Sequence, residues 1–271
     1  MLLQTEKNWE KICRQLQDIE THTAESYLGE KKNQNSIILK HDVECAGERA
    51  LNIALIEAKY GLKATFYFQA SVLRETPEVV IKIGELGHEV AYHYDVLDEC
   101  DGDYVKAAQL FSEALQEFSE IGFPVKTVCP HGNPVKVRDG WSSNKDFFRN
   151  KEIREHFNDL KDIVVDAKLI FGEEFNYITD AGYTWYKVGS ITDNDKKNIP
   201  DLEIDDLEYF FEDISAPTVI SSHPHRWHSS PIKAWVQRSS FFVLRKLARW
   251  LVKIPILEKL MSRFYFLAKK A

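Results

Sequence analysis

The chain has 271 residues, of which 44% are hydrophobic and 28% are charged, and its formal net charge is −7. This composition is typical of a globular protein and excludes the disordered, collagen-like and mucin-like classes. The four cysteines have no CxxC spacing, which argues against a disulfide framework and against a structural zinc finger. The first twenty residues are charged throughout, and no apolar stretch approaches the ~20 residues of a membrane span. We therefore expect a cytoplasmic protein without a secretory signal.

Strand-like and helix-like patterns alternate along the chain. Apolar runs predict seven strands, at 37–39, 64–68, 89–92, 127–129, 163–165, 184–188 and 218–221. Apolar side chains spaced by three and four residues predict helices at 5–20, 46–59, 76–85, 103–120 and 204–212. This alternation predicts an α/β fold with a parallel sheet covered by helices. Seven strands suit a distorted (β/α)7 barrel. An open doubly wound sheet is the alternative, although neither GxGxxG nor GxxxxGK[ST] occurs.

Charge and composition divide the chain into three parts. We predict an N-terminal helix and linker at 1–35, a barrel at 36–230 and a basic amphipathic helical tail at 231–271. The tail has ten basic side chains and one acid, a net charge of +9, so the rest of the chain totals −16. A basic amphipathic helix with aromatic residues predicts membrane-surface contact, here through 233–268. Packing on the barrel and an interface with a partner are alternatives. No motif for nucleic-acid binding is present, so we predict no nucleic-acid partner.

Ionisable side chains follow the predicted strands at their carboxyl ends, where (β/α) barrels carry their active sites. Asp42 and Glu44, two residues apart on an extended chain, point the same way. Together they could hold a divalent metal and activate a water molecule. The alternative for this pair is a solvated loop that caps the next helix.

Histidines follow other predicted strands. His93 ends the third strand, and imidazole is a common zinc ligand. Asp95 could bind the metal or orient a ligand. His223, just beyond the last strand, is a candidate general acid or base. A structural role in the core or in a polar loop is the alternative for each of these histidines.

Five segments, in their order along residues 36–228, resemble the NodB-homology polysaccharide deacetylases. The first, Lys-His-Asp-Val-Glu, resembles the HDVD/HDVE form found in members from surface-polysaccharide and O-antigen clusters. The segments are Lys40–Glu44, Ala64–Phe68, Leu86–His93, His131–Pro134 and Ile220–Pro224.

The resemblance implies a distorted barrel, a divalent metal that is usually zinc, and removal of an acyl group from an N-acyl sugar. By position, Asp42 matches the catalytic base and His223 the general acid. The predicted metal ligands are Glu44, His93, Asp95 and His131. The predicted substrate-binding residues are Tyr94, Asn133, Asp166 and Trp227, the two aromatic rings stacking on a sugar.

The chain departs from the family pattern at Leu97, where the second motif normally has another metal-binding histidine. Asp95, His131 or Asp166 would have to complete the coordination. The first hypothesis is a hydrolase that removes an N-acetyl or N-formyl group from an amino sugar in surface-polysaccharide biosynthesis, cytoplasmic and peripheral on the inner membrane face. The alternatives are a non-catalytic barrel that binds a glycan or partner protein, and a different metallohydrolase such as a phosphoesterase.

Overall fold

The computed structural model describes residues 3–29, 36–133, 136–191, 202–204 and 214–251. Its strands belong to one sheet. They are β1 (Thr21–His22), β2 (Ile37–Val43), β3 (Thr65–Phe68), β4 (Glu89–Tyr94), β5 (Thr127–Pro130), β6 (Lys161–Asp162), β7 (Asn176–Thr179), β8 (Tyr186–Lys187), β9 (Leu202–Glu203) and β10 (Thr218–Ser222).

The strand order is β6-β5-β4-β3-β2-β10-β7-β8-β9, with β1 also paired to β2. Every pairing along the path from β6 to β7 is parallel, which gives seven parallel strands on that path, and β1 pairs parallel to β2 beside it. The strands β8 and β9 extend the sheet in antiparallel pairs. The predicted α/β class with a parallel sheet is therefore confirmed, and the seven strands are consistent with a distorted (β/α)7 barrel. Within the described ranges, no pairing joins β6 to β9.

Helices cover the sheet. In the described residues they are α1 (Glu6–Leu16), α2 (Ala24–Gly29), α3 (Gly47–Lys59), α4 (Ala70–Glu75), α5 (Pro77–Glu85), α6 (Val96–Glu99), α7 (Tyr104–Glu120), α8 (Lys145–Arg149), α9 (Lys151–His156), α10 (Ala167–Phe171) and α11 (Pro231–Leu251), with 3-10 turns at Ala181–Tyr183 and Pro224–Arg226. The four predicted helices before residue 121 are confirmed, the first ending at Leu16 rather than 20. The helix predicted at 204–212 lies outside the described residues, apart from 204.

The strand predicted at 163–165 is wrong. The strand β6 ends at Asp162, and the next residues form a turn. The side-chain Oδ1 of Asp162 accepts hydrogen bonds of 2.8 Å from the N–H groups of Val164 and Val165. An aspartate that binds the backbone two and three residues ahead favours a turn over a strand. The strand β7 was not predicted, although its residues Tyr177, Ile178 and Thr179 are β-prone.

The N-terminal helix packs in the same core as the sheet. Its buried face is Trp9, Ile12, Cys13 and Leu16. The indole ring of Trp9 lies edge-on to that of Trp227, with 4.9 Å between ring centroids. These contacts join the start of the chain to the loop that follows the last strand of the sheet.

The tail helix α11 covers the first half of the predicted tail, and residues 252–271 lie outside the described part of the chain. Among the described helices, none combines the length and the apolar character that crossing a bilayer requires.

We expect Trp9→Ala to lower the free energy of unfolding by about 3–5 kcal/mol, because the cavity left by a fully buried indole refills only in part. The control is Trp235→Ala on α11, whose side chain is 63% exposed, with an expected change within about 0.5 kcal/mol. Urea denaturation followed by circular dichroism measures both. Equal effects would contradict the packing of α1 in the core.

Candidate active site

The candidate residues lie at one edge of the sheet, at the carboxyl ends of five parallel strands. Strands β2, β4, β5, β7 and β10 contribute them, and only β3 separates β2 from β4. Parallel strands bring their carboxyl ends to the same edge, so residues that are far apart in sequence meet there. The residues are Asp42 from β2, Glu44 directly after β2, His93 from β4, His131 after β5, Asp180 after β7 and His223 after β10.

Asp42 is held by a buried lysine. The Nζ atom of Lys40 lies 2.9 Å from Oδ1 and 3.0 Å from Oδ2 of Asp42, and it donates a further hydrogen bond of 3.1 Å to the Tyr177 hydroxyl. Burial alone would raise the pKa of Asp42, but Lys40, His93 and His223 together lower it well below its ordinary value. Asp42 is therefore an ionised carboxylate at neutral pH.

His93 presents one ring nitrogen to the site. Its Nδ1 donates a 3.0 Å hydrogen bond to the Cys129 carbonyl, which leaves the lone pair on Nε2. That Nε2 lies 4.0 Å from Oε1 of Glu44. Burial lowers the pKa of His93 to about 4, so the imidazole is neutral at neutral pH. A neutral imidazole in a fixed tautomer is a suitable metal ligand.

His131 faces the same carboxylate. Its Nε2 lies 3.4 Å from Oε1 of Glu44, while its Nδ1 lies 3.6 Å from Oδ2 of Asp95. Asp95 also accepts a 3.2 Å hydrogen bond from the Gln69 amide. Asp95 and Glu44 approach opposite nitrogens of the His131 ring. Asp95 is therefore placed to orient His131, and it does not lie beside the other predicted metal ligands.

Glu44, His93 and His131 fit a metal ion. Their ligand atoms all lie within 4.8 Å of one another. Ligands at zinc distances in a tetrahedral site are about 3.4 Å apart, close to the 3.4 Å and 4.0 Å measured from Glu44 to the two histidines. Two imidazoles and one carboxylate are also a common zinc donor set.

A second group, Asp42, His93 and Cys129, is equally compact but fits a metal poorly. Burial raises the pKa of the Cys129 thiol well above its ordinary value, although Lys40 opposes this, so the thiol stays protonated. Asp42 is already paired with Lys40. The first group is therefore the better candidate.

Leu97 is completely buried on α6 and packs in the core, so it faces no metal. Of the residues that could replace the missing histidine, the structure places His131 beside Glu44 and His93. Asp166 is elsewhere: its carboxylate pairs with Arg154 and accepts a 3.1 Å hydrogen bond from the Asp162 N–H. The prediction that Asp166 binds substrate or metal does not agree with this placement, and it depended on the strand that is now known to end four residues earlier.

His223 lies on the other side of Asp42, with its Nε2 3.9 Å from Oδ2 of that residue. Its Nδ1 is 2.6 Å from Oδ1 of Asp180, a fully buried carboxylate that also accepts a 3.0 Å hydrogen bond from the Trp227 indole. Asp180 therefore fixes the orientation of the imidazole. Asp180 and Lys40 were not among the predicted site residues. The signals were present. Lys40 and Asp42 alternate on β2 with Glu44 two residues further on, and Asp180 directly follows the β-prone residues of β7.

Two predicted sugar-binding aromatic residues are buried. The side chains of Tyr94 and Trp227 both have zero exposure, and the Tyr94 hydroxyl donates a hydrogen bond to the Asp162 carboxylate. The prediction that either ring stacks on a sugar is therefore wrong, because neither ring has a face open to solvent. Asn133 is half-buried beyond His131, and its carbonyl accepts a 2.9 Å hydrogen bond from Arg138.

No family model and no curated protein matches the chain. A family 4 carbohydrate esterase from Streptomyces lividans, solved with acetate, aligns with 77% of this chain and 88% of its own at 16% identity and a TM-score of 0.44. A polysaccharide deacetylase from Bacillus cereus aligns with 78% of this chain and 88% of its own at 16% identity and a TM-score of 0.41. A CE4-family pseudoenzyme from Bacillus anthracis aligns with 80% of this chain and 63% of its own at 12% identity and a TM-score of 0.42. Identities and TM-scores this low do not establish a shared family or activity.

Lys40→Met would leave the Asp42 carboxylate buried without its cation. We expect the free energy of unfolding at neutral pH to fall by about 3–5 kcal/mol. The double variant Lys40→Met/Asp42→Asn should recover most of that loss, because no unpaired charge remains. Urea denaturation of the two variants and the wild type measures this. No recovery in the double variant would contradict a paired Asp42.

The same pair makes stability depend on pH. The folded-state pKa of Asp42 lies below its ordinary value. The stabilisation that the ion pair adds to the free energy of unfolding is therefore present at neutral pH and is lost as acidification protonates the carboxylate. The stability difference between wild type and Lys40→Met should therefore shrink as the pH falls below the ordinary aspartate range. A difference that stays constant with pH would show that Lys40 acts by packing alone.

Proposed function

We propose that the chain is a metal-dependent hydrolase that removes an acyl group from the nitrogen of an amino sugar. One observation carries this proposal: the ionised carboxylate of Asp42 lies between a Glu44–His93–His131 group and the imidazole of His223. The Oδ1 atom of Asp42 is 4.0 Å from Nδ1 of His93, and its Oδ2 is 3.9 Å from Nε2 of His223. A base, an acid and a metal-binding group around one point are the parts that amide hydrolysis needs.

Glu44, His93 and His131 would hold the ion, and we propose zinc because the donors are two imidazoles and one carboxylate. When bound, the ion supplies Lewis-acid polarisation of the acyl group. Asp95 would keep His131 in the ligating orientation.

Asp42 is the proposed general base. It accepts a proton from the water whose oxygen forms the new bond to the acyl carbon. Lys40 keeps Asp42 anionic before the reaction and fixes the direction of its oxygens. His223 then donates a proton to the sugar nitrogen as the carbon–nitrogen bond breaks, which releases a free amine and a carboxylic acid. The two groups act on the same substrate in this scheme because the Nε2 atom of His223 lies 3.9 Å from Oδ2 of Asp42.

The substrate class comes from the resemblance of Lys40–Glu44, Leu86–His93 and Ile220–Pro224 to the NodB-homology deacetylases. On that ground we propose an N-acetyl or N-formyl amino sugar in surface-polysaccharide biosynthesis. The non-catalytic alternative was suggested by Leu97. The position of His131 argues against this alternative, since a third candidate ligand lies beside Glu44 and His93 without any contribution from position 97.

Metal binding tests the ligand set. We expect about one equivalent of zinc in the wild type, and loss of more than about 100-fold in affinity in Glu44→Ala, His93→Ala and His131→Ala. Asp95→Asn should bind about 10–100-fold more weakly, because the ring loses its orienting carboxylate. Competition with a fluorescent chelator measures these affinities. The control is His156→Ala, an exposed histidine on α9. Wild-type affinity in His131→Ala would contradict the proposed ligands.

Catalysis tests the acid and the base. In zinc-loaded protein we expect Asp42→Asn and His223→Ala to lower kcat for release of acetate or formate from N-acyl amino sugars by about 10²–10⁴-fold. Asp180→Asn should have a smaller effect, and His156→Ala none. Zinc affinity should remain within about tenfold in His223→Ala, which separates lost chemistry from a lost metal. Zinc binding without turnover of any acylated sugar or ester would favour the non-catalytic barrel.

A further inference from the structure

The tail helix α11 has two unlike faces. One face packs on the body of the protein: Ala234 is 1% exposed, and the ring of Phe241 lies 5.0 Å from that of Tyr183. The side chain of Gln237 is hydrogen-bonded to His228. These contacts fix the helix against the turns that follow β7 and β10.

The opposite face is apolar and exposed to solvent. Ile232, Trp235, Val236 and Val243 are 75%, 63%, 49% and 66% exposed. Their spacings of three, four and seven residues place them on one stripe of the helix, opposite Ala234 and Phe241. A soluble helix normally turns such a stripe inward and leaves charged residues outside, so this arrangement is reversed and indicates a partner for the outer face.

The helix is also strongly basic. Residues 231–251 have five lysines and arginines and no acid, whereas the chain before residue 231 has a net charge of −16. Lys233 and Lys246 are exposed beside the apolar stripe. A negatively charged surface therefore attracts this helix and repels the rest of the protein, which orients the molecule with α11 toward the surface.

We propose that α11 docks on an anionic lipid bilayer through Ile232, Trp235, Val236 and Val243, with Lys233 and Lys246 at the headgroups. The apolar side chains insert at the headgroup boundary, where tryptophan is favoured. A second copy of the chain fits less well, because it brings another basic helix against this one. A nucleic acid fits less well, because its phosphates offer no apolar environment for four exposed apolar side chains.

The position of α11 gives this docking a consequence. The helix packs on Tyr183, three residues after the carboxylate that holds His223. One helix diameter, about 10 Å, therefore separates the bilayer surface from the turn that carries Asp180. Docking holds this edge of the sheet near the membrane, whichever substrate the site accepts.

Vesicle co-sedimentation of the full chain tests the proposal. We expect binding to phosphatidylcholine vesicles that contain about 30 mol% phosphatidylglycerol and much weaker binding to pure phosphatidylcholine. Raising the salt from about 0.05 M to 0.5 M should weaken binding several-fold, since screening reduces the lysine contribution. Absence of binding to the anionic vesicles at low salt would overturn the proposal.

Variants locate the surface. Trp235→Ser/Val243→Ser should weaken vesicle binding by more than about tenfold, and Lys233→Gln/Lys246→Gln by about 25-fold. The matched control is Val105→Ser/Leu169→Ser, two side chains that are 81% and 73% exposed on α7 and α10 and should leave binding unchanged. All four α11 positions are exposed, so thermal unfolding of each variant should match the wild type.

Three results would contradict the docking face. Unchanged vesicle binding in Trp235→Ser/Val243→Ser would place the contact elsewhere on the chain. A wild-type dimer in light scattering that this variant dissociates, without vesicle binding, would assign the face to a second copy. Tighter binding to a DNA duplex than to anionic vesicles, lost in the lysine variant, would assign it to nucleic acid.

Discussion

The buried ion pair between Lys40 and Asp42 is the interaction on which the candidate site depends. Both side chains project from β2, the central strand of the sheet, where all seven residues are buried. Removing two charges from water is costly, and the cost is offset only when the geometry is good and the remaining donors are satisfied. Lys40 meets this condition, because it contacts both oxygens of Asp42 and donates to Tyr177 and Cys129. Asp42 can therefore remain an anion at the end of a fully buried strand.

Around that anion the site is arranged in two halves. On one side, Glu44 faces His93 and His131, whose other ring nitrogens are engaged by a backbone carbonyl and by Asp95. On the other side, His223 is oriented by a carboxylate from a different strand. In both halves an outer acceptor fixes a histidine ring, so the directions of the inner nitrogens are set before any ligand arrives. This preorganisation supports a role in chemistry and not only in packing.

The outer face of α11 has a different physical basis. It has a stripe of exposed apolar side chains on a strongly basic helix, while the site depends on buried, mutually satisfied charges. The two regions are joined by packing, since α11 rests on the turns after β7 and β10, which carry Asp180 and His223. Their tests are independent: vesicle binding needs no metal, and zinc binding needs no membrane.

The sequence by itself determined the class of fold and much of the site. Apolar runs followed by Asp42, His93 and His223 are local patterns, and parallel strands bring their carboxyl ends together whatever the details. Tertiary structure decided which residues meet. Distances across strands place His131, and not Asp166, beside Glu44 and His93, and burial removed Tyr94 from the predicted sugar contacts. Burial and partnership depend on packing between distant segments, which no short window of sequence contains. For the same reason the partner of His223 became visible only when β7 was placed beside β10.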